Sequence, residues 1–300
     1  MDTDFSAFKQ YLQEQDKSPL TIQGYLADLR IFVRWFQQTN GEEFSLSRWA
    51  SADVRAYRQH LIDQGAKPQT INRRLAALAS LGNWAASAGH LPANPAIHVR
   101  SLASAPLPPR WLDRREKAAL LRAVERDVQH ARAHYPRLWV LRLRDAVMVI
   151  LLLNTGLRVG ELCALQLSDV HLSERKGSLV VRAGKGRKQR RLPLNSQTRR
   201  SIGEWLLHRP PADSSALFVN QRGAAVTKRT VQRAVGRYAA DAGLENVSPH
   251  TLRHTFAKSL VDSGVSLEKV ATLLGHSDLN TTRIYITPGE RDLADAVAKI

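Results

Sequence analysis

The stretch Ser248-Pro249-His250-Thr251-Leu252-Arg253-His254-Thr255-Phe256 carries two imidazoles and a guanidinium within five positions. On a helix, His250, Arg253 and His254 fall at i, i+3 and i+4 and leave from one face. Ser266 begins a second helix and Gly275 ends it, which puts His276 immediately past the stop. Tyr285 stands nine positions farther on, in Asn280-Thr281-Thr282-Arg283-Ile284-Tyr285. Hydrogen-bonding imidazoles, a fixed cation and one phenol suit chemistry on a phosphodiester, whose charge grows in the transition state and calls for positioned cations. The pair at i, i+4 could instead hold a metal. The zinc-protease pattern needs a Glu after the first His, however, and Thr251 stands there with no third ligand evident. No metal and no cofactor are expected.

Two further candidates lie upstream. Arg158 follows the turn Asn154-Thr155-Gly156-Leu157 and opens the helical run Val159-Gly160-Glu161-Leu162. Free backbone N–H groups at such a start favour an anion. The bland alternative is a surface salt bridge from Arg158 to Glu161. Ser178–Arg182 and Arg190–Leu194 read as a two-stranded hairpin, and Gly184-Lys185-Gly186 lies near its tip. Arg187, Lys188 and Arg190 are the neighbouring rivals of Lys185.

His250-Thr-Leu-Arg253-His254, Leu-Leu-Gly275-His276 and Tyr285 resemble the C-terminal box of the tyrosine recombinases, the phage-integrase and Xer-type family. Thr155-Gly156-Leu157-Arg158 is similar to that family's first arginine motif, and Lys185 resembles its hairpin lysine. The resemblance implies a site-specific DNA recombinase working through a 3′-phosphotyrosyl intermediate. Tyr285 would be the nucleophile, and Arg158 and Arg253 would clamp the non-bridging oxygens. His276 would donate to the same phosphate, Lys185 would protonate the departing 5′-oxygen, and His250 is the candidate base. His254 reads as a buried histidine that steadies its helix. The family works as a tetramer, of one chain or of two related ones, on double-stranded DNA recombination sites. A silent DNA-binding accessory protein on the same fold is the rival reading. Its mark would be loss of Tyr285 or of an arginine, and both kinds are present.

These residues need elements to position them. Apolar residues at helical spacing, with Ser18-Pro19, Asn40-Gly41, Ser51-Ala-Asp53 and Gly65 as start and stop signals, make residues 1–100 a four-helix, all-helical domain, which the resemblance implies is the DNA core-binding domain. Prolines gather between His90 and Pro109, and residues 101–112 read as a linker. Residues 113–300 read as an α+β domain ending in a short amphipathic tail, and the resemblance implies that the domain is catalytic and that the tail contacts a neighbouring protomer. The fold class is therefore mainly α with a small β-sheet or hairpin. The net charge of +17 calls for a polyanionic partner, with DNA ahead of a membrane surface. The longest apolar run, Ala146–Leu153, falls far short of the roughly 20 residues of a membrane span. No signal-peptide pattern opens the chain, and a cytoplasmic location is expected. The single cysteine, Cys163, reads as a small buried hydrophobe.

Overall fold

A computed structural model of the chain describes residues 5–103, 109–182, 189–276, 280–285 and 297. The chain divides into two compact units, Met1–Leu107 and Pro108–Ile300.

The first unit contains helices α1 (Ser6–Glu14), α2 (Pro19–Asn40), α3 (Ser51–Asp63) and α4 (Pro68–Ser87). Their limits follow local chemistry. The Ser18 hydroxyl accepts from the Thr21 N–H, Pro19 supplies its fixed φ at the first turn, and Gly41 takes the left-handed conformation that ends α2. Phe32 sits among Trp35, Phe44 and Tyr57, with ring centroids 5.1–5.8 Å apart, so the core of this unit is largely aromatic. The buried Asp28 carboxylate pairs with Arg73 and Arg74, which ties α2 to α4.

The second unit begins with α5 (Arg114–His134), opened by the reciprocal cap of Asp113 and Glu116, and continues into α6 (Trp139–Thr155). Eleven of the seventeen residues of α6 are buried. A helix apolar on every side must be enclosed, and α6 is packed by α5, by α8 (Ser196–His208), by α9 (Lys228–Asp241) and by α10 (Pro249–Asp262). Helix α7 (Val159–Ala164) follows the turn at Gly156. Strands β1 (Val170–Leu172), β2 (Gly177–Val181) and β3 (Arg190–Pro193) form one antiparallel sheet in that order, with Leu179 opposite Leu192. Helices α11 (Leu267–Leu274) and α12 (Asn280–Arg283) complete the described elements.

Two expectations change. The hairpin is a three-stranded sheet, because β1 is only three residues long and mostly exposed, with no alternation to reveal it. The sequence also reads Asp145–Leu153 as a core helix, whereas helix α6 begins at Trp139, since Arg142, Arg144 and Asp145 hide its apolar period. Arg144 and Asp145 are buried as an ion pair at 2.7 Å, with Arg237 reaching the other carboxylate oxygen at 3.1 Å. Helix α8 carried no expectation. Lys185 and the hairpin tip, residues 183–188, lie outside the described residues, as does the expected C-terminal tail apart from Val297.

Candidate active site

Arg253 lies at the centre of the site and is 2% exposed. A buried guanidinium without a carboxylate of its own needs other negative ends. Its Nη1 donates to the Gly156 carbonyl at 2.6 Å and its Nη2 to the Leu274 carbonyl at 2.9 Å. These oxygens belong to the C-terminal ends of α6 and α11, where helices present unpaired carbonyls and the negative end of the dipole. The end of α11 serves three arginines at once. Arg190 Nε donates to the Leu273 carbonyl at 3.0 Å, Arg253 to Leu274, and Arg158 Nη2 to Gly275 at 3.3 Å. Burial lowers the Arg253 pKa to about 10, and the Arg158 charge adds to that fall, so it remains a cation at neutral pH.

Glycine is required at both turns. Gly156 has φ +63°, and a Cβ there would come within 2.5 Å of the Phe256 ring. Gly275 has φ +67°, and a Cβ there would meet Arg190 Nη1 at 2.8 Å.

Glu161 anchors two of the arginines. Its carboxylate accepts from the Arg158 backbone N–H at 2.8 Å, Arg158 Nη1 at 2.9 Å, and Arg190 Nη1 and Nη2 at 2.9 and 2.7 Å. Burial works to raise its pKa, but the hydrogen bonds from Arg190 and Arg158 outweigh it and hold the carboxyl at about 2. Arg158 is tethered at one edge and remains 47% exposed.

The histidines are neutral in this setting. His276 Nε2 lies 2.9 Å from Arg253 Nη2, and a guanidinium can only donate, so Nε2 accepts and the ring proton sits on Nδ1. That N–H donates to the Thr282 hydroxyl at 2.9 Å. Burial, then the Arg253, Arg158 and Arg190 charges, push the His276 pKa down to about 4. His254 falls to about 4 through burial and the neighbouring His250, Arg253 and His276. Tyr285 is 1% exposed, and its hydroxyl is 2.8 Å from His254 Nδ1. Burial raises its pKa against the opposing pull of Arg253 and Arg158. His250 reaches the surface with one side of its ring covered, 4.4 Å from the ring of His254, and this partial burial, then the Arg253 and Arg158 charges, lower its pKa. Among the described residues, no group of three or more His, Cys, Asp or Glu is placed to hold a metal ion, and no helix is long and apolar enough to cross a membrane.

Comparison with known proteins places this geometry in a family. A family model described as "Phage integrase family" matches residues 111–291, and one described as "Phage integrase, N-terminal SAM-like domain" matches residues 5–89. The chain belongs to the phage integrase family, the tyrosine recombinases. It is 33% identical over 285 residues to a protein named tyrosine recombinase XerC from Corynebacterium glutamicum, covering 94% of this chain and 86% of that relative. A protein of the same name from Myxococcus xanthus is 34% identical over 288 residues, covering 93% and 90%. In fold, the recombinase is similar to XerH bound to a palindromic difH substrate in a post-cleavage complex, with TM-score 0.76, 24% identity, and coverage of 97% of this chain and 84% of that one. It is similar also to a lambda integrase dimer bound to a core site, with TM-score 0.68, 19% identity, and coverage of 92% and 95%. A tyrosine recombinase cuts and rejoins DNA strands.

Within the recombinase, Arg158, Arg253 and His276 meet at the Leu274–His276 turn, and Tyr285 joins them through His254. His250 adjoins His254, and Lys185 lies outside the described residues. Sequence reasoning assigned three residues too little. Glu161 does make the salt bridge considered for it, but it also holds Arg190. Arg190 is a clamp between β3, α7 and α11 rather than a hairpin charge. His254 bonds the Tyr285 hydroxyl in addition to packing on His250 of its own helix. Its place four residues after His250 and beside Arg253 was the available signal.

Proposed function

We propose that this tyrosine recombinase acts as an Xer-type site-specific recombinase. It would cleave one strand of a duplex recombination site and keep the end as a 3′-phosphotyrosyl link. The observation that carries the reading is the convergence of Arg158, Arg253 and His276 on one turn, with the Tyr285 hydroxyl bonded to His254, the residue next to Arg253 on α10. Arg158, exposed and held at one edge by Glu161, keeps N–H groups for a phosphate oxygen, and Arg253 supplies fixed positive charge behind it. His276 is a neutral acceptor without DNA. A phosphodiester would offset the arginine charges that depress its pKa and turn Nε2 into a donor. Tyr285 Oη attacks phosphorus, the bond to the 5′-oxygen breaks, and Lys185 returns a proton to that oxygen. The phenolic proton needs an acceptor in this cluster, and His250 and His254 are the two imidazoles on that face of α10. The phosphotyrosyl bond stores the energy of the broken one, so a 5′-hydroxyl of a second duplex can reverse the step.

Residues 1–100 would serve as the core-binding domain, 101–112 as a linker and 113–300 as the catalytic domain. Assembly would be a tetramer on paired sites, of one chain or of two related ones, in the cytoplasm. The relatives named XerC and the XerH–difH complex support this choice of substrate. A nicked suicide duplex carrying the recombination site tests it. The wild-type chain should trap a covalent adduct that Tyr285→Phe abolishes while DNA affinity is kept. An adduct that survives Tyr285→Phe refutes the nucleophile, and no adduct from the wild-type chain on a tightly bound site favours a silent accessory protein.

A further inference from the structure

The tyrosine is packed away from water. Tyr285 is 1% exposed, among Ala257, Val270 and Leu274, with Phe256, Leu260 and Val261 around them. An apolar wall of this kind satisfies the ring but gives the hydroxyl no partner, and a buried hydroxyl needs one. Among the described residues that partner is His254 Nδ1, at 2.8 Å. The His254 ring is inclined at 53° to the tyrosine ring, with centroids 5.5 Å apart. His250, on the preceding turn of α10, has its ring 4.4 Å from that of His254 and makes no hydrogen bond to the phenol among the described residues.

We propose that His254 is a positioning residue for the nucleophile: its Nδ1 accepts the Tyr285 hydroxyl and sets where Oη stands relative to the arginine cluster. This rests on Tyr285 being the nucleophile. An imidazole can accept at Nδ1 only while that nitrogen carries no proton. Burial, then the neighbouring His250, Arg253 and His276, lower the His254 pKa to about 4, so the ring is neutral at physiological pH. A neutral ring carries its proton on one nitrogen only, and the bare nitrogen is then Nδ1, facing the phenol. Helix α10 presents both functions from adjacent positions, Arg253 toward the end of α11 and His254 toward Tyr285.

Three variants separate this role from plain packing. His254→Phe keeps a ring and removes the acceptor, His254→Asn places an amide oxygen near the Nδ1 position, and Tyr285→Phe removes the hydroxyl. On the suicide duplex at saturating DNA, His254→Phe is expected to cleave at least about 10-fold more slowly with unchanged DNA affinity. His254→Asn should recover most of the rate. On the DNA-free chain, N-acetylimidazole labelling of Tyr285, read by peptide mass spectrometry, should rise several-fold in His254→Phe and return toward the wild-type level in His254→Asn. Should His254→Phe fail to fold, nitrogen-15 spectra of the wild-type chain decide the matter. They should find the His254 proton on Nε2 and a bare Nδ1 whose resonance moves in Tyr285→Phe. Wild-type cleavage by His254→Phe, His254→Asn as slow as His254→Phe with normal melting, or a protonated Nδ1 would overturn the proposal. Labelling and spectra need no DNA chemistry, so they read the His254–Tyr285 pair even if another residue proves to be the nucleophile.

Discussion

Replacing Glu161 by Gln should be the most informative single change outside the reacting groups. The substitution preserves the shape of the side chain but removes the charge that receives four N–H groups from Arg158 and Arg190. It also turns one acceptor oxygen into an NH₂ that faces arginine donors. The carboxyl is held at about 2 against an ordinary 4.5. At about 1.4 kcal/mol per tenfold change in proton affinity, that gap corresponds to about 3 kcal/mol. Arg158 and Arg190 keep their carbonyl partners on the end of α11 but lose the carboxylate that offsets their charge, and that loss is on the order of 3 kcal/mol. For a unit of the size of Pro108–Ile300, about 2–4 °C per kcal/mol gives a fall in Tm of about 6–12 °C at neutral pH. The sign of the pH dependence follows from the depressed pKa. Between pH 4.5 and 2 the unfolded chain binds the proton that the folded one refuses, so this stabilisation is complete above about pH 5 and disappears as pH falls toward 2. Calorimetry of both proteins from pH 7 to pH 2.5 checks it, with the Tm difference between them as the readout. That difference should be flat above pH 5 and shrink steadily below 4.5. Equal melting at pH 7, or a difference that persists unchanged to pH 2.5, would refute the four-donor anchor.

Other outcomes follow from the same geometry. The imidazoles of His254 and His276, both near 4, should show no titration above about pH 5.5 in NMR spectra of the DNA-free chain, and stability should fall as pH drops from 6.5 toward 4 because the unfolded rings take up protons first. A midpoint near 6.5 for either ring would contradict the burial and the arginine charges assigned to them. Gly275→Ala should cost at least about 1–2 kcal/mol and slow cleavage, whereas Gly264→Ala, with φ +77° and open space around its Cβ, should pay only the backbone strain and keep activity. Equal cleavage by the two variants would show that the close approach of Arg190 to Gly275 is unimportant. DNA affinity measured across salt concentrations should fall by about 0.9 log units per log unit for each phosphate neutralised, and Arg158→Ala should reduce that slope by about 1. An unchanged slope would mean that Arg158 meets no phosphate.

Local signals in the chain were enough for the elements that carry the site. Ser248-Pro249 starts α10, Ser266 and Gly275 bound α11, and Thr155-Gly156 ends α6, each through a cap or a left-handed turn that needs only its own neighbours. The four helices of the first unit follow from apolar spacing for the same reason. Strand β1 was not legible, because three residues are too few to show a period of two. The roles of Arg190 and His254 were not legible either, since a cation on a strand and an imidazole on a helix look alike whether solvated or partnered.

By itself the sequence determined which chemical groups are present and which faces of which helices they leave from, because capping, turn and periodicity rules act over a few residues. Tertiary packing alone decided that Arg253 reaches a carbonyl 97 positions earlier, that Arg158 and the end of α11 meet across 117 positions, and that Tyr285 hangs from His254 rather than His250. Those contacts exist because burying α6 on all sides brings α10 and, through it, α11 against the end of α6, where their free carbonyls gather the arginines.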